Sequence, residues 1–322
     1  MRLRDFVVKT FFSKVINRRN KMSEFRSGFV AVIGKPNVGK STLINALLGQ
    51  KIAAVSPRPQ TTRRRQLGIL TTESAQVVFV DTPGMHQPRH KLGKFLNQEA
   101  EDSLNGVDVI LWLVDGSHEP EEEDQLIAGL LTGLKRSQRL ILGLNKIDLL
   151  HAGQTVEGQS LLFQAMVPHA SLVPLSALHG EGRQSLLQKL IENLPERAPD
   201  FPLDQLTDLY EREIAADLIR EAALLYLRDE VPHGLAVRID EFTERGEIGA
   251  YIGATLFVER ESQKGIVIGD GGLMLKNIGS AARKEIESMS GRKVFLQLRV
   301  KVAKDWRNDE NFLNRFGFKI KK

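Results

Sequence analysis

The chain has 322 residues, no cysteine and a formal net charge of +5 at pH 7. That length accommodates two ordinary domains, each with its own core, and the missing thiols exclude disulfides and thiolate metal centres. A sequence pI of about 9.3 leans toward a polyanionic partner, while the longest apolar runs, such as 107–114, are strand-sized and exclude a membrane-spanning helix.

Residues 1–27 form a basic extension. Within it, 1–21 carries Arg2, Arg4, Lys9, Lys14, Arg18, Arg19 and Lys21 against the single acid Asp5. Three readings stand: a basic amphipathic helix for peripheral contact with a membrane surface or for targeting, a basic tail that adds affinity for RNA, or a start at Met22. The absence of cysteine fits a cytoplasmic protein, with the cytoplasmic membrane face as an alternative place.

From Gly28 to Leu194 short apolar runs alternate with helical patterns, which predicts an α/β domain with a mostly parallel sheet. The run 29–33 leads into Gly34-Lys35-Pro36-Asn37-Val38-Gly39-Lys40-Ser41-Thr42, which fits the phosphate-loop pattern between a strand and a helix. Glycines let backbone N–H groups form an anion nest at the helix N-terminus. Lys40 can reach the outer phosphates and Ser41 can ligate Mg²⁺. Residues 65–70 and 76–80 read as a hairpin, and 107–114, 140–144 and 172–175 as further strands. A helix over 181–194 closes the domain.

Three more motifs fall at strand ends, where open α/β sheets bind ligands. After 77–80 comes Asp81-Thr82-Pro83-Gly84: the carboxylate suits Mg²⁺ and the Gly84 N–H suits a γ-phosphate. After 140–144 comes Asn145-Lys146-Ile147-Asp148. The two oxygens of Asp148 match the N1–H and N2–H donors of guanine, while adenine would leave the carboxylate unpaired. Lys146 can lie over the base, and Asn145 can tie neighbouring loops together. A backbone N–H of Ser176-Ala177-Leu178 can meet the guanine carbonyl.

A proline-rich stretch beginning at Pro195 cannot continue a helix and opens a linker, 195–206. Residues 207–322 form a second, α+β domain. A helix over 208–227, strands over 235–239 and 250–258, and a charged link over 240–249 come first. An apolar strand over 266–268 is expected to lead into Gly269-Asp270-Gly271-Gly272, a G-x-x-G loop of the kind that clamps a nucleotide backbone. Met274, Ile278, Ala282, Ile286 and Met289 follow at helical spacing, and a last strand puts 294, 296, 298, 300 and 302 on one face. Asp270 opposes phosphate; Lys264, Lys276, Arg283, Lys284 and Arg292 are the basic residues placed to compensate.

The motifs of 28–194 resemble those of the translation-factor-related GTPases. That resemblance implies GTP hydrolysis with Lys40, Thr62 and Gly84 in catalytic roles, and a first switch at Gln60-Thr61-Thr62-Arg63. Thr62 (Thr61 as alternate) would join Ser41 and Asp81 on Mg²⁺. Arg63, Arg64 and Arg65 are either a solvated loop cluster or an RNA contact. Met85 stands where Ras-like proteins carry a water-orienting glutamine, so slow intrinsic hydrolysis is expected; His86 and His90 beyond it have no assigned role. Asn37 resembles a K⁺ ligand of related GTPases, with a plain loop residue as the alternative. With both halves in view, about 26–318 resembles the Era-type GTPases, a P-loop GTPase domain followed by a type II KH domain. The family implies GTP and GDP as ligands. It also implies binding to the 3′ end of small-subunit ribosomal RNA during maturation of the small ribosomal subunit. A GTP-gated RNA-binding scaffold with negligible turnover, or a membrane-associated GTPase, is the alternative.

Overall fold

The computed structural model describes residues 25–56, 62–134, 139–229, 231–244 and 249–318. The basic stretch 1–21, Met22, Gln60 and Thr61 lie outside the described residues, and no helix among those described is long and apolar enough to cross a membrane.

The first unit is built on strand β1 (Arg26–Ile33), followed by α1 (Lys40–Leu48), β2 (Gln66–Thr71), β3 (Ala75–Asp81), α2 (Lys91–Asp102), β4 (Val109–Asp115), α3 (Glu122–Thr132), β5 (Arg139–Asn145), α4 (Val156–Met166), β6 (Ser171–Pro174) and α5 (Arg183–Glu192). The sheet order is β2-β3-β1-β4-β5-β6. Only β2 runs antiparallel, joined to β3 by the expected hairpin. Every residue of β3 and β4 is buried, because helices cover both faces and no alternation with polar residues is needed. One face packs Val30, Val32, Leu43, Ile44 and Leu186; the other packs Ile33, Trp112, Ile127 and Phe163. Parallel strands all end on one side, which gathers their loops into one rim.

Residues 195–208 are pinned along the edge of this sheet. Gln76 Oε1 accepts the N–H groups of Asp200 and Phe201 at 2.8 and 2.9 Å. Ile69 N–H donates to the Leu206 carbonyl at 2.8 Å, and Leu67 N–H to Asp208 Oδ1 at 2.8 Å. The chain therefore covers the outer edge of β2, which would otherwise present unpaired N–H groups.

The second unit runs α6 (Glu211–Tyr226), β7 (Ala236–Glu244), β8 (Gly249–Val258), α7 (Glu261–Ile268), α8 (Leu273–Ser290), β9 (Lys293–Val302) and α9 (Glu310–Arg315). Its sheet order is β7-β8-β9, antiparallel then parallel, and α6 and α8 bury Ile214, Leu218, Ile278, Ala282 and Ile286 against it. Two expectations are corrected. The apolar run 266–268 is the last turn of α7 and not a strand: Gln263 and Val267 are buried at helical spacing while Ile266 is 50% exposed. Strand β7 also continues to Glu244, past the expected end at 239, because a register shift between Ile239 and Glu241 lets the polar half keep pairing with β8.

The units touch through a shared apolar cluster. Leu92, Phe95 and Leu96 of α2 pack with Ala236, Phe257, Trp306, Leu313, Phe316 and Phe318 of the second unit.

Candidate nucleotide-binding site

The rim holds a cleft of about 510 Å³ lined by Asn37, Lys40, Ser41, Thr62, Gly84, Asn145, Lys146, Asp148, Ala177 and Leu178, among others. Its floor is the loop between β1 and α1. Gly39 has φ 99°, and a Cβ there would stand 2.4 Å from Asn145 Nδ2, so only glycine leaves the loop and the β5 end in contact. The Asn145 amide is the clasp between three loops: Nδ2 donates to the Val38 carbonyl at 2.7 Å, and Oδ1 accepts from Ala177 N–H at 2.8 Å.

At one end of the cleft Lys40 is folded back on its own loop, its Nζ donating to the Gly34 and Lys35 carbonyls at 3.0 and 2.9 Å. Burial lowers its pKa to about 8, partly opposed by Asp81. Beside it three oxygens converge. Ser41 Oγ donates to Asp81 Oδ2 at 2.8 Å, Thr62 Oγ1 lies 3.0 Å from Ser41 Oγ, and Thr62 donates to Asp81 at 3.2 Å. Gln66 Nε2 adds a third contact to the same carboxylate at 3.2 Å. Burial raises the Asp81 pKa, against Lys40 and these hydrogen bonds, and Asp81 Oδ1 is buried with no hydrogen-bond partner. A buried carboxylate oxygen left open beside two hydroxyls suits a hard cation. Among the described residues no group of three His, Cys, Asp or Glu could hold a metal, so such an ion would depend on this mixed set and on ligand phosphates.

At the other end lies Asp148, with His179 Nε2 3.6 Å from its Oδ2. Lys146 adopts a left-handed φ of 63° and its Nζ is held by Asp115 Oδ2 at 2.6 Å. Asp115 stays below the usual carboxylate range: burial pushes it up, but Lys146 and Ser117 outweigh burial. The stem of Lys146 is thereby fixed at the wall of the cleft that Asp148 also lines.

Gly84 meets the loop across the cleft, where a Cβ would lie 2.7 Å from Pro36 N and Cα. The neighbouring side chains serve the frame. Thr82 Oγ1 donates to the Val32 carbonyl at 2.7 Å, and Pro83 is buried. Met85 is 1% exposed, packed with Ile33 and Trp112, and its N–H donates to the Gly34 carbonyl.

Several expected residues point elsewhere. The Lys35 ammonium turns to Glu121 Oε2 and Asp124 Oδ2 at 2.7 and 2.8 Å, so only its backbone faces the loop interior. Ser176 N–H is taken by the Glu181 carbonyl and Ala177 N–H by Asn145, while Leu178 lines the cleft. Ile147 is half-buried, its N–H on the Leu175 carbonyl. Arg63 is not a solvated loop residue. It is 6% exposed, donates through Nη1 to the Leu235 carbonyl at 2.7 Å, and lies 5.5 Å from the Trp306 ring. Sequence reading missed Asp115, Gln66 and the wall at Ala54, Val55 and Ser56. Only Asp115 carried a signal, a carboxylate closing the apolar run of β4.

In the second unit Gly269–Gly272 joins α7 to α8, with Gly271 at φ 52° and Gly272 at φ 80°. Asp270, Gly271 and Lys276 are exposed, and Ile266 and Leu273 flank the loop at 50% and 60% exposure. Lys264 lies 3.6 Å from Glu261. Arg292, expected to compensate Asp270, is instead bonded to Glu211 and lies 3.3 Å from Glu244.

Residues 29–146 match the model for a 50S ribosome-binding GTPase, and 230–307 match a KH domain. A GTPase Era from Geobacter metallireducens is 47% identical over 295 residues, 91% of this chain and 98% of the relative. The chain belongs to the Era family of GTPases. Its fold is likewise that of Era. An Aquifex aeolicus Era variant crystallised with GDP·AlF4⁻ superposes with TM-score 0.85 at 37% identity, covering 92% of this chain and all of the other. An Era structure in complex with MgGDPNP and nucleotides 1506–1542 of 16S ribosomal RNA matches equally, at TM-score 0.85 and 37% identity over 92% of this chain and all of that one. As an Era-family member the chain is a GTPase, a P-loop domain followed by a KH domain.

Proposed function

We propose that this chain is a nucleotide-controlled switch that binds GTP and Mg²⁺ in the 510 Å³ cleft and the 3′ end of small-subunit ribosomal RNA on its KH half, assisting maturation of the small subunit. The observation that carries the reading is the convergence of Ser41, Thr62 and Asp81 at one end of a cleft whose other end presents Asp148. Ser41, Thr62 and Asp81 would hold Mg²⁺, which supplies charge neutralisation for the phosphates. The residues around it have separable tasks. Lys40 exchanges two carbonyl acceptors for the outer phosphates, Gly84 N–H points at the γ-phosphate, and Thr62 withdraws when that phosphate leaves. Asp148 selects guanine, Leu178 N–H meets its carbonyl oxygen, and Lys146 covers the ring.

Met85 is locked in the core and offers no hydrogen bond to an attacking water, so intrinsic turnover is slow. We assign Asn37, held at φ 64° in the loop, as the K⁺ ligand that supplies charge there. On the KH side, Ile266 and Leu273 flank the G-x-x-G loop as an apolar wall for bases, and Lys276 supplies charge. The test is phosphate release with and without K⁺ and an RNA oligonucleotide of the rRNA 3′ end. Stimulation by both is expected. Turnover that stays negligible under every condition would favour the scaffold alternative. Deleting residues 1–21 and measuring liposome binding tests the membrane contact.

A further inference from the structure

The residue next to the candidate switch threonine is anchored in the other domain. Thr62 Oγ1 reaches Ser41 and Asp81 in the nucleotide cleft. One residue on, the Arg63 guanidinium leaves the GTPase half, with Nη1 on the Leu235 carbonyl at 2.7 Å and Nη2 on the His233 carbonyl at 3.4 Å. Its face lies 5.5 Å from the centre of the Trp306 ring, within cation–π range. Trp306 is fully buried and its Nε1 donates to the Gly234 carbonyl at 2.8 Å, so the ring is fixed against the same 233–235 turn that receives Arg63.

Trp306 also borders the second candidate switch, the stretch after Gly84 that leads into α2. Leu92 N–H at the start of α2 donates to the Arg307 carbonyl at 3.1 Å, and Lys91 N–H to Asn308 Oδ1 at 3.2 Å. Leu92, Phe95 and Leu96 share an apolar cluster with Trp306 and Phe316. Residues 306–308 therefore cap one switch element while their tryptophan grips the other. The linker has no comparable reach, since residues 200–208 are hydrogen-bonded to the GTPase sheet edge.

The docked state of Arg63 is not unconditionally favourable. Burial, then Arg220 and Arg307, pull its pKa well below the usual guanidinium range, with Asp217 opposing them, and its Nε is buried without a partner. Two carbonyl acceptors and the Trp306 face hold it there, contacts that water can replace. That makes it reversible.

We propose that Arg63 is a positioning residue, a latch by which the KH half holds Thr62 in the cleft, and that Trp306 is the point at which the KH half reads both switch elements. This rests on the reading of Thr62 as the first-switch ligand. When Thr62 is held by cation and γ-phosphate, Arg63 docks. When Thr62 is released, Arg63 is free to leave Trp306 and the 306–308 cap on α2 loses one of its supports. By reciprocity, a ligand that stabilises the docked KH half strengthens triphosphate binding by the same factor.

The experiment compares full-length wild type, Arg63→Lys, Arg63→Ala and Trp306→Phe. Affinities for GDP and for GDPNP with Mg²⁺ are measured, each with and without the rRNA 3′-end oligonucleotide. Arg63→Lys keeps the charge but loses the planar guanidinium that spans the two carbonyls and lies against Trp306, and Trp306→Phe keeps an aromatic ring but drops the indole donor. The expected result is a fall of about tenfold in GDPNP affinity with GDP affinity unchanged, and loss of the difference in RNA affinity between the two nucleotide states. A merely structural role would lower both nucleotide affinities together. Equal GDPNP-to-GDP ratios in wild type and variants, or RNA coupling that survives in Arg63→Lys and Trp306→Phe, would overturn the latch. Wild type that binds neither nucleotide would instead overturn the switch reading itself.

Discussion

Two side chains in the cleft have consequences that can be read at the level of single atoms. Asp148 lines the cleft with its side chain 19% exposed. Asp148→Asn replaces two acceptors by an acceptor and a donor. Guanine nucleotide affinity should fall by about two orders of magnitude or more, and xanthine nucleotides, whose 2-oxo group accepts, should become preferred. Competition binding of GDP and XDP measures this, and an unchanged guanine preference would remove Asp148 from the base pocket. Lys40 makes a prediction about protons. Its pKa of about 8 lies below its ordinary value of 10.5, so between those values the nucleotide-free fold binds fewer protons than the unfolded chain. This group's contribution to stability therefore rises with pH across that window, and its penalty is fully present below it. Phosphate oxygens restore the charge. Calorimetry of GDP binding near pH 8.5 in buffers of different ionisation heat should show proton uptake; a binding heat independent of buffer would contradict the assignment.

Loops and helix ends carry the next set of constraints. The segment from Asp81 to Met85 is held at both ends, by the β3 pairing of Asp81 and by the burial of Met85. Gly84 is thereby pressed against Pro36. Gly84→Ala must push those loops apart, because its Cβ would sit 2.7 Å from backbone atoms that cannot swing away. GTP affinity and turnover are expected to drop about tenfold or more, with GDP binding far less affected. Phosphate release and nucleotide titration distinguish the two. In the KH half, Asp270 is exposed at the G-x-x-G loop and Arg292 is engaged with Glu211. Asp270→Lys should leave the fold intact, tighten RNA binding and steepen its salt dependence by about one phosphate contact. Affinity unchanged across a salt series would mean that the loop does not approach phosphate.

Across the whole molecule, the domains are joined by polar ties as well as by the Trp306 cluster. Lys51, just beyond α1, bonds Glu221 of α6 and Glu285 of α8, both at 2.8 Å. Glu221 has a side chain only 8% exposed and burial raises its pKa, against Lys51. Removing Lys51 leaves that carboxylate nearly alone at the interface. Lys51→Ala should lower the midpoint of unfolding and separate the melting of the two halves, at a cost of about 1–3 kcal/mol; a single unshifted calorimetric transition would show that the tie contributes nothing. Domain docking is thus held by several contacts of moderate strength, which permits rearrangement without unfolding.

The local parts of this protein were legible from its residues. A phosphate loop, a strand-end carboxylate and a guanine-type Asn-Lys-x-Asp stretch are contiguous words, and their positions follow from alternating strands and helices in a parallel sheet. The G-x-x-G loop was found the same way, although the run before it was misread, since three apolar residues have no period of their own and burial of Gln263 and Val267 decided for helix. Arg63 could not be read locally. Three consecutive arginines look like a solvated cluster, and only the approach of the 233–235 turn and Trp306, some 170 residues away and farther, makes one of them an anchor. The same holds for Lys35, drawn off by Asp124, and for the linker, drawn onto the sheet edge by Gln76. Chemistry set by neighbouring residues is written in the sequence, because chain connectivity guarantees the proximity. Partnerships between distant side chains belong to the tertiary structure, because packing alone brings them within hydrogen-bonding distance.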